Sequence, residues 1–186
     1  MLIPPVLSAV PIRAGGDNDF PPFEFINDAG SPDGFTVDVV LAAAEVMHLD
    51  VEVTLGTWND IRRQLSDGEI DLITGMLRTE EREALYDFSI PYFAMSYALF
   101  VPIHSSTNDP VELMHSRLIV QQGDAAHEYV MKHGIAREII LADSYPEALR
   151  MLKEGAGDGI IMPRLQGMLL ARDPDSPDII PAGESV

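Results

Sequence analysis

The chain has 186 residues and carries 30 Asp and Glu against 12 Lys and Arg, a formal net charge of −18, with no cysteine. That balance opposes nucleic-acid binding, because phosphates are repelled, and the lack of thiols excludes disulfides, cysteine zinc sites, iron–sulfur clusters and thiol catalysis. Hydrophobic residues at 46% and charged residues at 23% describe a folded chain, long enough for one ordinary domain or two small lobes.

Short β-branched runs alternate with helical stretches, the pattern of an α/β fold. Ile12 to Gly16 reads as a first strand ending in a glycine turn. Thr36 to Met47 reads as a helix with Val37, Leu41 and Ala44 on one face. Val51 to Leu55 alternates as a half-buried strand. Trp58 to Ser66 is helical and is stopped by Asp67-Gly68, and Asp71 to Gly75 is the next strand. Thr79 is a good N-cap for a short helix. Tyr97 to Val101 is extended, and after the polar Ser105–Asn108 stretch the alternation starts afresh. Leu118–Gln121, Glu138–Leu141 and Gly159–Met162 read as strands. Ala125–Lys132, Tyr145–Glu154 and Leu165–Ala171 read as helices. The restart predicts two lobes, 1–98 and 99–180, joined through a crossover at 97–101, with 181–186 beginning a return segment.

No catalytic constellation assembles. The chain lacks a Gly-x-Ser-x-Gly elbow and a phosphate-binding loop. Gly155 to Gly159 precedes a strand and so reads as a turn. His127 and His133, six apart, fall on different helix faces and read as surface residues. Asp173, Asp175 and Asp178 are interleaved with two prolines and have no following Glu, a solvated loop rather than a calcium site. Neither a metal nor a cofactor is expected. No apolar run is long enough to span a bilayer, and Met1-Leu2-Ile3-Pro4-Pro5 lacks the pattern of a secretory signal.

Four segments carry a family resemblance: Asp17-Asn18-Asp19-Phe20-Pro21-Pro22-Phe23-Glu24; Gly34-Phe35-Thr36-Val37-Asp38; Gly68 to Met76; and Thr79-Glu80-Glu81-Arg82 with Asp87 to Tyr92. In this order the chain resembles the bacterial extracellular solute-binding proteins of family 3, with the type II periplasmic binding fold. Gln121-Gln122-Gly123-Asp124 and Gly157 to Ile161 extend the likeness into the second lobe. The resemblance implies a two-lobed α/β module that binds a small molecule between its lobes, in the periplasm or another extracytoplasmic space.

The same residues have a physical reading. The glycines before Asp17 let its backbone approach a cleft, and Phe20 offers an aromatic wall, whereas Phe23 reads as core. Trp58 follows a strand at the carboxyl edge of a sheet, where open α/β sheets take ligands, and core packing explains it equally well. Gly34 and Asp38 read as structural. The resemblance adds Thr74, Gly75 and Met76 to the ligand site, and assigns Arg82, in the first turn after Thr79, to clamp a ligand carboxylate. The alternative for Arg82 is a surface ion pair with Glu80, Glu81 or Glu83. Arg78 reads as solvent-facing.

Departures from the family pattern are specific. Leu77 stands where amino-acid binders place Ser or Thr. Gly123 is followed by Asp124 where they carry a hydroxyl. Pro163 occupies the position of the acid that pairs with a ligand ammonium, leaving that role to Asp17 or Asp124. An anionic ligand is therefore expected, with free zwitterionic amino acids binding weakly. Loss of Arg82 is expected to cost binding and not fold stability.

These departures, with Gln121 to Tyr129, are most similar to the input domains of membrane sensor kinases and cyclic-dinucleotide signalling proteins. The implied partner is an output domain reached through a membrane segment. The second reading is the binding component of an ABC permease for amino acids or organic acids, and a third is a cyclohexadienyl dehydratase-like enzyme, for which no general acid is recognisable. The oligomeric state is open between monomer and homodimer. Family members return to the first lobe after position 181, so exposed apolar surface is expected on that lobe, with one covalent connection between lobes.

Overall fold

The computed structural model describes residues 10–105, 109–113, 115–172 and 178–182. The Met1–Pro5 opening, Asp173 and Asp175 of the acidic loop, and residues 183–186 of the expected return segment lie outside them.

The first lobe begins with β1 (Ile12–Asp17), followed by the short strands β2 (Asp19–Phe20), β3 (Glu24–Ile26) and β4 (Pro32–Asp33), which pair antiparallel in chain order. Next come α1 (Phe35–Met47), β5 (Val51–Gly56), α2 (Trp58–Ser66), β6 (Leu72–Ile73) and α3 (Glu80–Glu83). β1 is the central strand of a parallel sheet, flanked by β5 and β6. Gly16 is required there by space: a Cβ would come within 2.7 Å of Glu24 Oε2. β6 is shorter than the strand read over Asp71–Gly75.

The α1 helix buries Thr36, Val37 and Ala44 against this lobe, but Leu41, expected on the same face, is 44% exposed. Phe35, Val46 and Met47 are exposed as well, on other sides of the helix. Exposed apolar side chains thus occur on this lobe among the described residues. α2 buries Trp58 and Ile61, and Gly68, at φ 73°, turns the chain away after it. Residues 84–96 carry no helix or strand and lead to the second lobe.

The second lobe comprises β7 (Tyr97–Pro102), α4 (Pro110–Leu113), β8 (Arg117–Gln121), α5 (Ala125–His133), β9 (Glu138–Ala142), α6 (Tyr145–Lys153), β10 (Gly159–Pro163), α7 (Arg164–Leu170) and β11 (Ile179–Pro181). Its sheet has the order β11-β7-β10-β8-β9, with β7 antiparallel to both neighbours and β10, β8 and β9 mutually parallel. The crossover segment thus belongs to the second sheet along its whole length. Phe100, Ile119, Leu149, Leu152, Ile160 and Met162 form the main core under α6, and Val120, Ala126 and Val130 a smaller one under α5. Each such large side chain contributes about 1.5–3 kcal/mol by leaving water. Among the described residues the chain passes between lobes once.

Candidate functional site

β1 ends at Asp17 and β8 ends at Gln121, so the carboxyl ends of two parallel strands, one per lobe, face each other, the place where open α/β sheets bind ligands. Gln121 Nε2 donates to Asp17 Oδ2 at 2.7 Å across the gap. Around this contact lies a cavity of about 360 Å³ walled by both lobes, within the range of small-molecule sites.

Of the residues singled out in the sequence, Asp17, Phe20, Trp58, Gly75, Met76, Arg82 and Asp124 line this cavity. Thr74, Gly123 and Pro163 do not. Thr74 sits behind the wall, donating to the Glu24 carboxylate and to the Gly15 carbonyl at 3.2 Å. Gly123 holds the lobes together through its carbonyl. Pro163 is fixed in β10 opposite Tyr97, where sheet pairing keeps it in the wall of the second lobe, away from the cavity. Phe23, read as core, is buried but also reaches the cavity, stacked on Phe20 with centroids 5.0 Å apart.

Trp58 is both things the sequence allowed. It is buried and lines the cavity, and its indole N–H donates to the Gly123 carbonyl at 2.9 Å. The same carbonyl accepts from Arg62 Nη1 at 2.6 Å and Arg82 Nη2 at 3.1 Å. Gly123 meets them at φ 75°, a left-handed conformation suited to glycine.

Arg82 lines the cavity and does not form the surface ion pair that was the alternative. Its backbone N–H donates to Thr79 Oγ1 at 3.3 Å, the cap read from the sequence. Its guanidinium is 1% exposed and is not paired with Glu80, Glu81 or Glu83. Instead Nε donates to Glu128 Oε2 at 2.9 Å in the other lobe and Nη1 to the Leu77 carbonyl at 3.2 Å. Glu128 also pairs with Arg62 at 3.0 Å. The four-residue α3 turns Arg82 inward, away from its acidic neighbours in sequence. Because this buried cation bridges the lobes, its removal disturbs folded-state contacts as well as any ligand. Arg78 pairs with Glu83 at the half-exposed rim, as a solvent-facing residue would.

The sequence reading assigned no ligand contact to Glu24, Gln121, Tyr97, Tyr145 or the Phe88–Met95 stretch, all of which line the cavity, although Glu24, Gln121 and Phe88 to Tyr92 lie in segments that carry the family resemblance. Glu24 accepts from the Asp17 N–H at 2.8 Å, Thr36 Oγ1 at 2.7 Å and the Thr74 hydroxyl. Burial outweighs these bonds and pushes its carboxyl up to about 7. Burial likewise raises Asp17 to about 6, against the bonds from Asp19 N–H and Gln121, with Asp19 and Asp124 adding to the rise. Asp124 accepts from Tyr97 at 2.9 Å and from the Tyr145 hydroxyl. Burial, with the Asp124 charge next, holds both phenols well above their usual range. The signal for Glu24 was its place at the end of the Asp17–Glu24 segment, an acid set between Phe23 and Phe25.

His127 accepts from the Gly123 N–H at 3.1 Å, and His133 lies exposed against Tyr129. Among the described residues no cluster of metal-ligating side chains occurs, and no helix is long and apolar enough to cross a membrane.

Comparison with known proteins places this geometry. The glutamine-binding protein of Geobacillus stearothermophilus is 29% identical over 138 residues, covering 72% of this chain and 53% of the relative. The ABC transporter arginine-binding protein 1 of Escherichia coli (strain K12) is 26% identical over 154 residues, covering 82% and 63%. The chain thus spans little more than half the length of the curated relatives it matches. A histidine kinase sensor domain with similarity to periplasmic binding proteins superposes with a TM-score of 0.87 at 30% identity, covering 95% of this chain and 78% of that one. Residues 12–164 match the family model of the bacterial extracellular solute-binding proteins, family 3, and the chain belongs to that family.

Proposed function

We propose that this chain is the extracytoplasmic input module of a membrane signalling protein. A small organic ligand of about amino-acid size enters the cavity, draws the two lobes together, and closure is passed to an output domain across the membrane. The observation that carries this reading is that one cavity is walled by both lobes, so a ligand held there touches both and shifts an open–closed equilibrium toward closure. The likeness to a kinase sensor domain over nearly the whole chain supports the signalling role. The relatives named for amino acids and for an ABC transporter support a second reading, delivery of the ligand to a permease.

The test is made on the complete natural protein in membrane vesicles. A ligand-dependent change in phosphoryl transfer or nucleotide turnover by that polypeptide supports the sensor. Stimulation of ATP-driven uptake by a permease, without any such output, would favour transport.

A further inference from the structure

The cavity contains more acid than its surroundings balance. Asp17, Glu24 and Asp124 all line it and are 4%, 2% and 8% exposed. Their hydrogen-bond partners are neutral: the Asp19 N–H and Gln121 for Asp17, threonine hydroxyls and the Asp17 N–H for Glu24, tyrosine hydroxyls for Asp124. None of the three is ion-paired to another described residue. The two arginines of the wall are already engaged, Arg78 with Glu83 and Arg82 with Glu128. Arg62, Glu128 and Arg82 together leave one net positive charge against three carboxylates.

A ligand carboxylate entering this space meets three buried acids, and the Arg82 guanidinium there is already bonded to Glu128. An ammonium meets two acids with acceptor capacity to spare. It also meets aromatic faces, since Phe20 and Tyr145 lie 6.0 Å apart beside Asp124, and cations are attracted to such rings, most strongly when desolvated. The raised proton affinity of Asp17 and Glu24 is what uncompensated burial of negative charge produces, and a bound cation relieves it.

We infer that the cleft selects an organic ammonium ligand lacking a carboxylate, seated on Asp124 and Asp17 against Phe20 and Tyr145, with Glu128 occupying at Arg82 the place of a ligand carboxylate. The inference rests on the solute-binding reading of this cleft and replaces the anionic ligand expected from the sequence. Leu77 and Pro163 fit it, since neither supplies a contact to an α-amino-acid head group.

The experiment is a thermal-shift and calorimetry panel on this chain. Choline, putrescine and phenethylamine are set against succinate and phenylpropionate and against arginine, glutamine and phenylalanine. The expected result is a rise of several degrees in Tm with at least one amine, and a loss of affinity of about tenfold or more for it in Asp124→Asn. If Asp124→Asn folds poorly, Asp17→Asn carries the same expectation. Stabilisation by acids or amino acids and by no amine overturns the inference while leaving a solute-binding cleft intact. No stabilisation by any compound counts against both.

Discussion

Glu128 on α5 accepts a hydrogen bond from Arg82 Nε at 2.9 Å, joining a residue of the second lobe to one of the first that lies 46 positions earlier. With Arg62 and the Gly123 carbonyl it forms a latch built only from the chain's own groups. Arg82→Ala should lower thermal stability by on the order of 3 kcal/mol, because it removes a buried cation bonded to Glu128 and to the Leu77 and Gly123 carbonyls. Glu128→Gln should cost about 1–2 kcal/mol, as the bond survives and the charge does not. A double-mutant cycle by chemical denaturation measures the coupling; additive effects would mean that the latch does not hold the lobes.

The raised carboxyls give the protein a definite pH response. Asp17 and Glu24 carry folded-state values of about 6 and about 7, above their ordinary values. The folded state therefore binds more protons than the unfolded one, and these two groups stabilise it at low pH. Their contribution is lost as pH rises from about 4 to 7, with a limiting slope of roughly 1.4 kcal/mol per pH unit for each group. Asp17→Asn and Glu24→Gln should flatten that slope in urea titrations at several pH values. Ligand affinity should run the opposite way, rising through pH 6–7 as the acids ionise to receive a cation.

Gly16→Ala tests the close packing behind the cavity. The added methyl would fall 2.7 Å from Glu24 Oε2 and against the Thr74 hydroxyl, so the Asp17–Glu24–Thr74 network must shift. The expected cost is about 1–3 kcal/mol, read as a lower Tm together with weakened binding. An unchanged Tm would show that the network is loose.

The elements long enough to carry a period and a cap were legible. α2 ends where Asp67-Gly68 stops it, α5 and α6 lie within a residue of their reading, and Thr79 caps α3. The strands β2, β3 and β4 are only 2, 3 and 2 residues long, too short to show alternation. The positions of Asp17, Arg82 and Asp124 at the site were readable from motif order, but their partners were not. Arg82 had three acids beside it in sequence and chose Glu128. Asp17 found Gln121 104 residues away, and Glu24 found Thr74 50 residues away. Such pairings depend on how the two sheets face each other, and no local pattern encodes that.

Trp58 is the only tryptophan of the chain, and its indole N–H crosses the cleft to Gly123. Acrylamide quenching of its fluorescence, followed while titrating the compound that most stabilises the protein, therefore reads closure over the cavity most directly. The account predicts that quenching falls in step with calorimetric binding, and that both responses weaken together in Asp17→Asn and Asp124→Asn. Tight binding that leaves Trp58 quenching unchanged and is indifferent to both substitutions would place the ligand outside the cleft and contradict the account.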